Sequence, residues 1–180
     1  MLNKTYIKRI LLVSFLHLML SVTIAFAQKI TPVVEKPEWH TDLMKAHEVS
    51  AKTKKPIFAF FTGSDWCGWC IKLQKDVFAK DEFITWAKKN VVLLELDYPR
   101  YKQLSPELTQ QNQGLQQTFQ VSGYPTIWMF NLTKKDTAKQ FSIDAIGSLG
   151  YPQGAEPGKE EVKFLNDAAV LFKNKSVPVK

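Results

Sequence analysis

Histidine and cysteine are both scarce in this chain of 180 residues, which holds three of the first and two of the second. One histidine lies inside an apolar N-terminal run, so only His40 and His47 remain to join Cys67 and Cys70 as nitrogen and sulfur ligands. A structural zinc takes four such groups, and a catalytic zinc three plus water. Both histidines lie well upstream of the thiols and would have to fold back onto them, so no metal is expected. No cysteine follows the apolar run, which argues against a bacterial lipid anchor. Internal repeats and low-complexity tracts are missing too. So is any array of aromatics among basic residues. The formal charge of +7 comes from scattered lysines and from Lys-Lys pairs at 54–55, 88–89 and 134–135. Such charges read as solvated faces, and no nucleic-acid partner is expected.

What is present begins with a leader. "MLNKTYIKR" supplies Lys4, Lys8 and Arg9, "ILLVSFLHLMLSVTIAFA" is almost wholly apolar, and the run closes on Ala25-Phe26-Ala27. This is the pattern of a signal peptide over 1–27 cut after Ala27. The alternative is an uncleaved membrane anchor, since the run is nearly long enough to span. Either way export is expected, to the periplasm or the medium. Once cut, the chain would have no stable membrane insertion. The leader carries three basic and no acidic residues, so residues 28–180 keep a charge of +4. They are enough for one domain with its own core.

Both cysteines fall in "TGSDWCGWCIKL", Thr62 to Leu73. Zinc lacks ligands. A structural staple gains little here, because closing so short a loop removes about 2 kcal/mol of unfolded-state entropy, against about 4.7 for a hundred-residue loop. The third reading is redox chemistry, with a nucleophilic thiolate in front and a resolving thiol one helical turn behind. The flanks favour it. "KKPIFAFFT" reads as a buried strand, and "CIKLQKDVF" places Cys70, Leu73 and Val77 on one helical face. Cys67 then stands at a helix N-terminus, where unpaired N–H groups favour the thiolate. Cys70, in the first turn, is the more buried partner.

Elsewhere the pattern predicts a helix over 41–55, capped by Thr41 or Asp42 and stopped by Pro56. A second helix is expected over "KDEFITWAKKN", capped by Asp81, and a buried strand over 91–97. "YPRYKQL" is a loop, and Ser105 with Pro106 opens the helix of "SPELTQQNQGLQQTFQ". A Gly123-Tyr124-Pro125 corner leads into a third strand. "TKKDTAK" is a turn, a fourth strand covers 139–147, and a closing helix carries Val162, Leu165, Ala169 and Phe172 along one side. The fold class is α/β, a mixed sheet flanked by helices.

This order of elements, "WCGWC" at a strand-to-helix junction and "GYPT" before the third strand resemble the thioredoxin superfamily. The likeness covers roughly 38–173. It is closest to exported thioredoxin-like proteins with a "FTGSDWCGWC" type of site, similar to disulfide reductase domains of the bacterial envelope. The resemblance implies Cys67 as nucleophile and Cys70 as resolving thiol, supported by Trp66, Gly68 and Trp69. It implies a cis Tyr124–Pro125 bond lying against the cysteines, although on sequence alone Pro125 reads as a trans proline at a strand entry. It makes Tyr124, with Gly123 and Thr126, the place where a substrate strand docks. Trp66 is expected to rest on the Tyr124 corner, and Trp69 to be exposed and to touch substrate.

Three departures accompany the likeness. Thioredoxins bury a carboxylate in the strand before the CxxC, where this chain has Phe60 or Phe61, and its lysine partner falls on Leu93. Glu95 is a possible substitute proton acceptor, or else a solvated strand-end acid. Gly68-Trp69 between the thiols offers no charge to a thiolate, which points to the reducing end of the scale, and an inward Asp65 would oppose the thiolate. The segment 98–114 is longer than in a minimal thioredoxin, shaping partner choice or serving as a neutral insertion. The resemblance thus implies an exported thiol–disulfide oxidoreductase reducing protein substrates, recharged by a membrane-linked thiol reductase. It needs no cofactor beyond its own disulfide, and with one pair of thiols and no dimerisation signal a monomer is expected. Rival readings are a disulfide-forming oxidant or isomerase, and a non-catalytic binding module or chaperone.

Overall fold

The structure, a computed structural model, describes residues 35–134 and 141–175. The leader and its cut site over 1–27 lie outside these residues, as does most of the "TKKDTAK" turn. Among the described residues five strands and five α-helices follow in the order β1 (Trp39–His40), α1 (Leu43–Thr53), β2 (Ile57–Thr62), α2 (Gly68–Leu73), α3 (Asp81–Asn90), β3 (Val92–Asp97), α4 (Pro106–Thr118), β4 (Thr126–Lys134), β5 (Phe141–Leu149) and α5 (Glu160–Lys175). A π-turn, Gln74–Phe78, continues α2 without a break. The sheet runs β1-β3-β2-β4-β5; β2 is parallel to β3 and antiparallel to β4. This is the mixed α/β sheet expected. Among the described residues no helix is long and apolar enough to cross a membrane.

Strand β2 is the axis of the molecule, and all six of its residues are buried. Its alternation sends Phe58 and Phe60 to the face that holds Cys67 and Cys70, and Ile57, Ala59 and Phe61 to the opposite face with Leu94, Leu96 and Phe130. A strand covered on both faces reads as a continuous apolar run, as "IFAFF" does.

Several boundaries differ from expectation. β1 is a fifth, unexpected strand; two residues carry no periodicity to read. Asp42 takes the α1 cap, its carboxylate accepting from the N–H groups of Met44 and Lys45. Asp81 does not cap α3. Lys80 holds the cap position, and Asp81 and Glu82 lie in the first turn, where negative charge meets the positive helix end. Ser105 caps α4 through its hydroxyl, with Pro106 in the first turn. In α5 the inner face is Phe164 and Ala168, flanked by Leu165, Leu171 and Phe172, while Val162 is exposed and Ala169 faces solvent. The 3–4 spacing runs through both sets, and the larger Phe164 takes the inner seat against Phe58, Phe78 and Phe83.

Candidate active site

Cys67 and Cys70 are joined in a disulfide at the head of α2. β2 ends at Thr62, four residues turn the chain, and Cys67 becomes the N-cap of the helix. Its sulfur accepts from the Cys70 N–H at 3.2 Å. Cys67 is 6% exposed and Cys70 0%. The sulfur nearer solvent is therefore the one at the helix head, where free N–H groups stabilise a negative charge.

Trp66 is fixed on every side. Its Nε1 donates to the Tyr98 carbonyl at 2.8 Å, its ring meets Tyr124 edge-on at 5.8 Å, and the Arg100 guanidinium lies 3.8 Å above it. A Cβ at Gly63 would come within 2.4 Å of that ring. Trp69 is 54% exposed and meets Tyr151 edge-on at 5.0 Å. Tyr151 in turn donates to the Asp76 carboxylate, which also holds Lys72. Gly68 has open space around it.

The Tyr124–Pro125 bond is cis. Thr126 ties this corner by donating to the Gly123 carbonyl at 2.8 Å, and the Tyr124 hydroxyl accepts from Gln116 at 2.9 Å. The rings of Tyr98 and Tyr124 sit 5.2 Å apart. The pairing of β4 with β2 thus brings Tyr124, at the cis bond, against Trp66, the residue before Cys67.

Phe60, not Phe61, faces the cysteines, and its neighbour across the strands is Glu95, whereas Leu93 stands beside Phe58. Glu95 is half-buried at the edge of a cavity of about 520 Å³ that it shares with Trp39, Gln74 and Phe78 and with Ile71, the residue after Cys70. Burial and the nearby Asp97 charge push its carboxyl above the usual glutamate value, against the pull of Lys102.

Sequence reasoning missed the fastening of the active-site loop. Asp97 accepts from both the N–H and the hydroxyl of Ser64 and pairs with Lys102 at 2.9 Å. Asp65 is spent on the neighbouring loop, where it accepts the N–H groups of Arg100 and Tyr101 at 3.0 and 2.8 Å. Desolvation acts to raise its carboxyl, but these backbone donors hold it below its ordinary value. The loop 98–104 is therefore bound to the redox motif rather than standing free of it. Its contacts cross between distant segments, and no local pattern announces them. Of the two histidines, His40 pairs with Glu38 and His47 lies edge-on to Phe141; among the described residues no group of three His, Cys, Asp or Glu could hold a metal.

A family model described as thioredoxin-like matches residues 38–131. Disulfide bond reductase DsbH of Chlamydia pneumoniae is 37% identical over 114 residues, 63% of this chain and 61% of that protein. Thioredoxin-related protein DsbJ of the same organism is 29% identical over 133 residues, 74% of this chain and 36% of that one. The chain thus spans less than two thirds of either relative. The solved structure of a DsbH oxidoreductase superposes with a TM-score of 0.65 at 26% identity, over 82% of this chain and 92% of that one. A thioredoxin from Thermus thermophilus shares the fold at 14% identity and a TM-score of 0.52, over 76% of this chain and 88% of that one.

Proposed function

Because the chain belongs to the thioredoxin-like family, we propose that it is an exported thiol–disulfide oxidoreductase that reduces protein disulfides. The observation that carries this reading is the Cys67–Cys70 disulfide at a helix head, with the more accessible sulfur on Cys67. In the reduced protein the Cys67 thiolate attacks a substrate disulfide. A Cys67–substrate bond forms as the substrate's own S–S bond breaks, and its second sulfur leaves as a thiolate. Cys70 passes its proton to Glu95 and attacks the Cys67 sulfur. The remaining substrate thiolate departs, two electrons have moved to substrate, and the Cys67–Cys70 disulfide is restored. Glu95 suits the proton's role by its place across from Phe60 and its raised pKa.

The substrate strand lies along Gly123, Tyr124 and Thr126, with the exposed Trp69 beside it. A membrane-linked thiol reductase recharges the pair, since exported proteins are cut off from cytosolic reductants. No cofactor besides the disulfide takes part, and the monomer is the working unit. Two features support the direction: the name of the reductase relative, and the absence of a charged residue between the thiols. The deciding experiment is equilibration of the purified chain in glutathione or dithiothreitol buffers. A potential near about −270 mV, that of thioredoxin, is expected; a value of about −120 to −180 mV would make the protein an oxidant or isomerase.

A further inference from the structure

Arg100 is held beside the redox pair with its donors unspent. Its backbone N–H is bound to Asp65, and its guanidinium carbon lies 3.8 Å from the centre of the ring of Trp66, whose chain neighbour is Cys67. A guanidinium over a ring still carries its fork of N–H groups, whose geometry matches a carboxylate. The acids nearby are committed elsewhere. Asp65 is occupied by the N–H groups of Arg100 and Tyr101, and Asp97 by Ser64 and Lys102. Two further cations near the motif are engaged, Lys72 with Asp76 and Lys102 with Asp97. Among the described residues Arg100 enters no ion pair, and the next residue, Tyr101, is 83% exposed.

We infer that Arg100 is a specificity residue: it selects protein segments in which an acidic side chain stands next to the half-cystine that Cys67 attacks. The inference rests on the oxidoreductase reading above. The segment 98–104 thereby becomes part of the substrate site, with Arg100 over Trp66 beside Cys67.

The test uses the reduced full chain and three disulfide-linked peptides that differ only in having Glu, Gln or Lys beside the attacked half-cystine. Each rate is divided by the rate of the same peptide with dithiothreitol, which removes intrinsic differences in disulfide reactivity. At low salt the wild-type chain should favour the Glu peptide over the Gln peptide by about threefold, and disfavour the Lys peptide by a similar factor, as an exposed ion pair allows. Arg100→Gln should flatten the series, and Arg100→Glu should invert it, which a purely structural role for Arg100 would not do. Raising the salt should shrink the wild-type ranking. Equal normalised rates in the wild-type chain, or a ranking that survives Arg100→Gln, overturn the inference and leave the function standing. No exchange with any of the three peptides overturns both.

Discussion

Cys67 and Cys70 differ by a few per cent of exposure and in their place on α2, and the proposed mechanism makes Cys67 the attacking sulfur. Cys70→Ser keeps the sulfur at the helix head and removes the one proposed to resolve the intermediate. Mixed disulfides between Cys67 and substrate proteins should then accumulate, visible on non-reducing gels and lost on reduction; a variant that captures nothing in cells carries the wrong assignment. Glu95 poses a pH question. Its folded pKa lies above the usual glutamate value, so between the two values the folded chain binds more protons than the unfolded one. Stability must then fall as pH rises through that window, and the cost persists at neutral pH. Glu95→Gln should raise the urea midpoint at pH 7, leave it nearly unchanged at pH 3.5, and slow the second half of the exchange. An equal shift at both pH values would mean the carboxyl is not the cause. Both cysteines were legible because a CxxC is a local pattern. Arg100 was not, because its meaning lies in a stack on a ring from another segment.

At the level of elements, the loop between β3 and α4 and the turn between β2 and α2 form one bonded unit. Asp65→Ala leaves the Arg100 and Tyr101 N–H groups without their acceptor. Losing such a bond costs about 1–1.5 kcal/mol, so their amide exchange should speed up about tenfold while that of β2 stays fixed. Unchanged rates would show that the loop is held by its other contacts, those of Trp66 and of Lys102 with Asp97. Elements with a strong local signature were readable: β2 from its unbroken apolar run, α4 from Ser105 and Pro106. The inner face of α5 was not, because two sets of residues share one spacing and only the bulk of Phe164 chooses between them. Nor was the π-turn after α2, since the apolar run through Val77 and Phe78 is compatible with either helical form.

At the scale of the whole domain, two buried layers lie on opposite faces of the sheet formed by β2, β3 and β4. The layer that holds the disulfide is dominated by aromatic edges, with Phe58, Phe78, Phe83 and Phe164 in mutual contact. Phe164→Ala should cost about 3–5 kcal/mol in urea denaturation, the usual penalty for emptying a buried aromatic site. A loss below about 1 kcal/mol would mean that α5 can close over the gap. The fastening of Trp66 to Tyr98 and Arg100 has a different consequence, one for anyone who would transplant this chemistry. The run from Thr62 to Leu73 looks like a portable cassette, yet Ser64, Asp65 and Trp66 each end in a partner supplied by residues 97–101. Moved alone into another thioredoxin-like host, it would arrive with a bulky indole and two polar side chains facing nothing. Motif and loop have to be inherited, or exchanged, together.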